Sequence, residues 1–190
     1  MNKRPTLYFS EDIKWRAWLK ANHDSHKNGV YLIFYKLETN IPTMRWEEAV
    51  KVALCFGWID STVKSLGNGK RIQYFCKRRP KSVWSALNKS YLVDLKKQGL
   101  INKSGVKTIF QAKKDGSWYA LDNVEKGIIP NDLQLEFNMN TRALTNFNNF
   151  SPSYRKSYLY WLFQAKRTIT REKRIKEIVK LCEENIKSRS

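Results

Sequence analysis

Eight consecutive residues, Val52 to Ile59, carry no polar side chain. A segment apolar on every side has no face to give to water, so it belongs at the centre of a core that the rest of the chain must build around it. It extends a helical pattern in which Trp46, Ala49, Val50 and Ala53 fall at i, i+3, i+4 and i+7, the spacing of one helix face. A carboxylate, Asp60, closes the run. A carboxylate at the end of such a helix-and-turn segment must be desolvated or paired, and either condition changes its proton affinity. Asp60 is therefore the candidate catalytic residue, as a general base, and equally the candidate partner of Lys64 or Arg79 in a structural ion pair.

The 190 residues are 42% hydrophobic and 13% aromatic, with seven tryptophans, which is enough apolar material for a real core. Gly29 to Leu37 is rich in β-branched and aromatic residues and predicts a strand; Ile72 to Lys77, after the Leu66-Gly67-Asn68-Gly69 turn, predicts a second. Around them the periodicity predicts helices. One starts at Ser10 and stops before Asn28-Gly29, with Ile13, Trp15, Ala17, Trp18 and Leu19 as its apolar positions. Another takes Ser82 as N-cap and runs to about Gln98, with Trp84, Leu87, Tyr91 and Leu95 down one stripe. Further helices fall at Ser104–Lys114, Asp132–Phe137 and Thr141–Asn149.

Ser151-Pro152 opens the next helix, with a proline at its first position and Tyr154, Tyr158, Leu162 and Ala165 facing inward. The last helix places Ile175, Ile178, Val179, Cys182 and Ile186 on one face. The expected fold is α+β, predominantly helical with a small β-sheet. It forms a single domain over 1–190 whose C-terminal helices, 131–190, can make a helical subdomain. Gly116–Pro130 is the one candidate linker, and Trp118 and Tyr119 argue that it too packs down.

Lysine and arginine total 36 against 17 acids, a formal charge of +19. That imbalance favours an anionic partner, either a small anionic ligand or nucleic acid. Its placement is sharper than its total. Between Ser61 and Val93 there is no acid, while Lys64, Lys70, Arg71, Lys77, Arg78, Arg79, Lys81 and Lys89 all fall there. Arg78-Arg79-Pro80-Lys81 leads into the predicted helix start at Ser82, where unpaired N–H groups and the dipole already favour an anion and guanidinium adds bidentate bonds. The predicted pocket for a phosphate-bearing ligand is thus Lys64, Arg79, Lys81, Ser82, Trp84, Ser85 and Asn88, with Asp60 beside it. Trp84 serves either as a stacking surface or as a core residue. A second basic cluster is Lys166, Arg167, Arg171 and Arg174; the three arginines share a helix face, suited to nucleic acid or simply to solvent.

Other chemistries find little. Cys55, Cys76 and Cys182 are far apart and odd in number, which excludes a disulfide framework or zinc ribbon and suits a reducing cytoplasm. The two histidines, His23 and His26, flank a turn, and no metal or cofactor is predicted. Ser61-Thr62-Val63-Lys64 matches Ser-x-x-Lys without the accompanying motifs of acyl-enzymes. No Walker loop, dinucleotide fingerprint or zinc-protease motif occurs. No apolar run reaches about 18 residues, so no membrane insertion is expected and the cytoplasm is the expected location. A binding protein leads, and an enzyme using Asp60 stays open.

Three ordered motifs carry a resemblance: Ala53-Leu54-Cys55-Phe56-Gly57-Trp58-Ile59-Asp60, then Arg79-Pro80-Lys81-Ser82-Val83-Trp84-Ser85-Ala86-Leu87-Asn88, then Ala165-Lys166-Arg167 with Thr170-Arg171 and Arg174-Ile175. With Trp18-Leu19, Asn22-His23, Gly29-Val30, Ala112-Lys113, Asp115-Gly116 and Trp118, the chain resembles the YdeI/OmpD-associated family, also labelled OmdA-like or bacteriocin-protection. The resemblance implies a bacterial cytosolic protein tied to tolerance of bacteriocins or antimicrobial peptides, with no established reaction, ligand or cofactor. It departs at Ser61, where relatives often have Gly, at Cys76-Lys77 for Thr-Pro, at Leu66-Gly67-Asn68-Gly69 for an acidic turn, and at Thr168-Ile169 for Pro-Glu. Capture of cationic peptides suits a +19 chain poorly, so a protective role is expected to be indirect.

Overall fold

The structure is a computed structural model and describes residues 4–189. The fold is α+β and predominantly helical. The elements are β1 (Thr6–Tyr8), α1 (Asp12–Asn22), β2 (Val30–Tyr35), α2 (Trp46–Cys55), β3 (Trp58–Gly67), β4 (Lys70–Lys77), α3 (Ala86–Lys97), α4 (Lys103–Lys114), α5 (Asp122–Glu125), α6 (Asn131–Met139), α7 (Thr141–Asn149), α8 (Pro152–Phe163) and α9 (Thr168–Glu183), with a 3₁₀ turn at Leu37–Thr39. Packing groups them into two compact units that divide between Tyr119 and Ala120, inside the 116–130 stretch.

In the first unit the strands lie in the order β1-β2-β4-β3, with β1 parallel to β2 and the other pairs antiparallel. The apolar run of 52–59 is central, but it is not one helical segment. α2 stops at Cys55, Gly57 takes a left-handed φ of 73°, and the chain leaves as β3. A glycine in that conformation ends a helix because no Cβ opposes it. Asp60 therefore sits on a strand, opposite Phe75. β3 escapes sequence reading because Ser61 to Gly67 are all exposed, which removes the apolar-polar alternation that marks a strand. β1 is too short to show any period.

Two helix starts also differ from expectation. α3 begins at Ala86 with Ser85 as N-cap, whose hydroxyl accepts from Asn88 N at 3.2 Å. Ser82 instead lies in the turn before it, where Ser82 N reaches Arg79 O at 3.2 Å and Lys81 holds a left-handed φ of 59°. The buried stripe shifts with the start, so Leu92 and Leu95 turn inward and Leu87 outward. α1 buries Trp15 and Leu19 and leaves Ile13 exposed.

An aromatic cluster anchors this unit: Trp15 stacks on Trp18 at 5.3 Å and meets Phe75 and Trp58 edge-on. The second unit is all helical and closes on Leu133, Phe137, Phe147, Tyr158, Leu162, Ile175, Ile178 and Cys182. Of its predicted inward positions, Tyr154 and Ile186 face solvent. Among the described residues no helix is long and apolar enough to cross a membrane.

Candidate functional site

Where β4 ends, Arg78 N donates to Gly57 O at 2.9 Å. That bond turns the Arg78 side chain inward, and it is only 7% exposed. Its Nη1 donates to Val83 O at 2.8 Å and to Ser82 Oγ at 3.2 Å, and its guanidinium lies 3.7 Å from the centre of the Trp84 ring. Nε and Nη2 are buried with no partner. Burial pulls the group down to about 10, against the opposing charge of Asp60.

Arg78 lines a cleft of about 670 Å³ whose walls are the Lys77–Trp84 segment, His23 with Asp24, and α4. Two further residues on its lining carry buried, unpartnered donors: Trp84 Nε1 and Ser117 Oγ. Ser117 is held by its own N–H, which donates to Asp115 Oδ1 at 3.0 Å, while Asp115 Oδ2 accepts from Lys81 N at 3.2 Å. The nearby Ser117 hydroxyl first, and then the Ser117 and Lys81 N–H groups, hold the Asp115 carboxyl below its usual range. Guanidinium and indole N–H groups only donate, and each buried unpaired group costs about 1–3 kcal/mol. A cluster of them marks a place shaped for an acceptor.

Lys77, Arg79, Lys81, Lys103 and Lys107 surround the cleft. Asp24, the carboxylate on the opposite wall, is bonded to Lys77 Nζ at 2.8 Å and lies 3.2 Å from His23 Nε2.

Of the residues predicted from sequence, Arg79, Lys81, Ser82 and Trp84 meet in this cleft. Ser85 caps α3, its hydroxyl accepting from the Asn88 backbone N–H, and neither residue lines this cleft. Lys64 is exposed on β3. Asp60 lies in a different cleft, where Oδ2 accepts from Trp46 Nε1 at 2.9 Å and from Gln73 Nε2. Among the described residues no ion pair joins it to Lys64 or Arg79. Sequence reading puts Arg78 in the basic run before Ser82 but not in the pocket, and it does not single out Ser117. Nothing in Arg78-Arg79 says which guanidinium turns inward, and a serine two residues after an aspartate reads as an ordinary turn.

The other candidates are spent on structure. Burial pushes the Cys55 thiol up and pushes that of Cys182 up to about 12, which leaves both unreactive. Ser61 and Lys64 are both exposed on a strand, so the Ser-x-x-Lys match shelters no nucleophile. Among the described residues no group of three or more His, Cys, Asp or Glu side chains is placed to hold a metal ion.

In the second basic cluster, Arg174 Nη1 donates to Trp161 O at 2.5 Å and its guanidinium sits 4.8 Å from the Trp161 ring centre. Lys166 lies over Phe163 at 4.4 Å. Arg167 occupies the N-cap position of α9 and is exposed. Arg171 grips Asp132 through Nε–Oδ2 at 2.5 Å and Nη2–Oδ1 at 2.9 Å. That hydrogen-bonded guanidinium holds the Asp132 carboxyl below its ordinary 3.8. A carboxylate depressed in the folded state adds stability above its unfolded value, and the addition fades as pH falls through the folded value. Asp132→Asn is therefore expected to cost about 1 kcal/mol or less at neutral pH, because the pair is part-exposed. The gap to wild type should close below about pH 3.8. Urea midpoints measured at both pH values check this; a gap that persists in acid would show that the pair is not its source.

Two family models match the chain. The one described as a domain of unknown function (DUF8412) matches residues 7–108. The one described as "Bacteriocin-protection, YdeI or OmpD-Associated" matches residues 126–185. No curated protein and no solved structure matches the chain. The third sequence motif, at 165–175, falls within the second match, and the first two motifs within the first. By a match over more than half its length, the chain belongs to the DUF8412 family, and its C-terminal part carries the YdeI/OmpD-associated segment.

Proposed function

We propose that this protein is a binding protein that holds a small phosphate-bearing ligand in the Arg78 cleft. The observation that carries the reading is the set of buried, unpartnered donors on Arg78, Trp84 and Ser117. A phosphate oxygen fork meets Nε and Nη2 of Arg78, the bidentate geometry guanidinium favours. Ser117 and Trp84 supply further donors, and Arg79, Lys81 and Lys107 raise the local concentration of anions. No comparable arrangement favours nucleic acid, since Arg171 and Arg174 already serve internal partners. Three free thiols suit a reducing, cytoplasmic setting for such a ligand. If the YdeI/OmpD-associated segment brings bacteriocin protection with it, protection works through this ligand, because a +19 chain repels cationic peptides.

Thermal shift with inorganic phosphate and a panel of small phosphate esters tests the reading, comparing wild type with Arg78→Met and Ser117→Ala. Ligand at 100 times its Kd adds about 2.7 kcal/mol to the wild type. Arg78→Met is expected to lose that response. Without ligand it should be at least as stable as wild type, since it removes a half-satisfied buried cation. If every phosphate compound stabilises the wild type and Arg78→Met equally, the reading fails.

A further inference from the structure

A second cleft, about 1100 Å³, opens between strands β2 to β4 and the first turn of α2. Its floor carries a polar pair, Asp60 and Gln73. Gln73 is 3% exposed, set between Leu32 on β2 and Val63 on β3. Its Nε2 donates to Asp60 Oδ2, the same oxygen that accepts from Trp46 Nε1 at 2.9 Å. Two donors on one oxygen fix the carboxylate's orientation. Gln73 Oε1 is buried with no partner, and the two donors to Asp60 both go to Oδ2. The floor thus carries one empty buried acceptor, Gln73 Oε1, on a side chain hydrogen-bonded to the Asp60 carboxylate, and such an acceptor calls for an N–H donor.

The mouth has the opposite character. Its lining holds four cations, Lys36, Arg45, Lys70 and Arg71, against two acids, Glu38 and Glu47; Arg71 lies 5.4 Å from the Phe34 ring centre and Lys70 5.8 Å from that of Tyr35. A cationic ligand would be drawn by Asp60 and repelled by this rim. A neutral donor edge with an anionic tail is matched at both ends, and a flat ring finds aromatic walls in Phe34 and Trp46. Adjacent N–H donors pair with a carboxylate as a two-pronged fork. The volume accommodates a mononucleotide.

We infer that this cleft is a nucleotide site that reads the guanine edge, with the ring N–H and amino group on Asp60 and Gln73 and the phosphate toward Arg71 and Arg45. The site shares no lining residue with the Arg78 cleft, and either reading stands without the other.

Titration calorimetry on the full chain decides it, using GMP, IMP, AMP, guanosine and inorganic phosphate. GMP should bind with a Kd below about 100 μM. IMP, lacking the amino donor, and AMP should each bind about tenfold more weakly or worse. Asp60→Asn should weaken GMP by about tenfold or more. Arg71 is exposed, so Arg71→Ala keeps the fold and should weaken GMP more than guanosine. No saturable heat with GMP, equal affinity for GMP and AMP, or no preferential loss of GMP in Arg71→Ala overturns the inference. So does GMP binding that survives Asp60→Asn but vanishes in Arg78→Met, which would place the phosphate in the other cleft.

Discussion

Trp15→Ala is expected to destabilise the first unit by about 3–5 kcal/mol, the range for emptying a large buried aromatic site. Trp15 has no exposed surface. Its ring touches Phe9 at 5.6 Å, Trp18 at 5.3 Å, Phe75 at 5.8 Å and Trp58 at 6.3 Å between centroids. It also donates Nε1 to Ala49 O at 3.2 Å, which ties α1 to α2. Alanine would leave a void among four rings and strip that carbonyl of a donor, and rigid aromatics cannot collapse to fill it. Since a domain is stable by about 5–15 kcal/mol in total, the loss is a large share. Ile13→Ala, two residues away on the same helix but 67% exposed, should change stability by less than about 0.5 kcal/mol. Chemical denaturation of both variants, followed by far-ultraviolet circular dichroism, makes the comparison. Equal effects would mean that α1 does not pack through Trp15.

The second large effect is at Gly105, inside α4. A Cβ there would lie 2.3 Å from Cys55 O and 2.9 Å from Cys55 C. These are backbone atoms at the end of α2 and cannot step aside. The close approach is pinned by Asn102 N to Cys55 O at 2.9 Å and by Ser104 Oγ to Phe56 O at 3.1 Å. Alanine is the better helix former by about 1 kcal/mol, so on an unpacked helix Gly105→Ala would stabilise. Here the clash wins, and a net loss of about 2–3 kcal/mol is expected. Function should fall with it, because α4 contributes Ser104, Lys107 and Thr108 to the Arg78 cleft. The readouts are the denaturation midpoint and the phosphate-induced thermal shift. A stabilised Gly105→Ala protein would show that α4 docks elsewhere.

Much of the helical framework was legible without coordinates. Ser151-Pro152 starts α8, and Thr141–Asn149 is α7 as expected, because caps and apolar spacing act over a few residues. The start of α3 was misplaced for a related reason. Ser82 and Ser85 are both good caps, and the choice went to Ser85 once Arg78 occupied the Ser82 hydroxyl. β3 was missed because its outer residues meet solvent and carry no alternation to read.

The candidate sites divide along the same line. From residues alone the chain determined its basic charge, its acid-free stretch from Ser61 to Val93, its central apolar run and Asp60 as the polar residue that ends it. Tertiary structure decided which arginine is buried, that Ser117 lines the same cleft, and that Gln73 rather than Arg79 or Lys64 meets Asp60. The physical reason is range. Charge, capping and periodicity are properties of neighbours in sequence, whereas the burial of Arg78 follows from one backbone bond to Gly57. The pairing of Asp60 likewise follows from the register of β3 on β4, in which strands separated by a turn bring residues 60 and 73 to the same face.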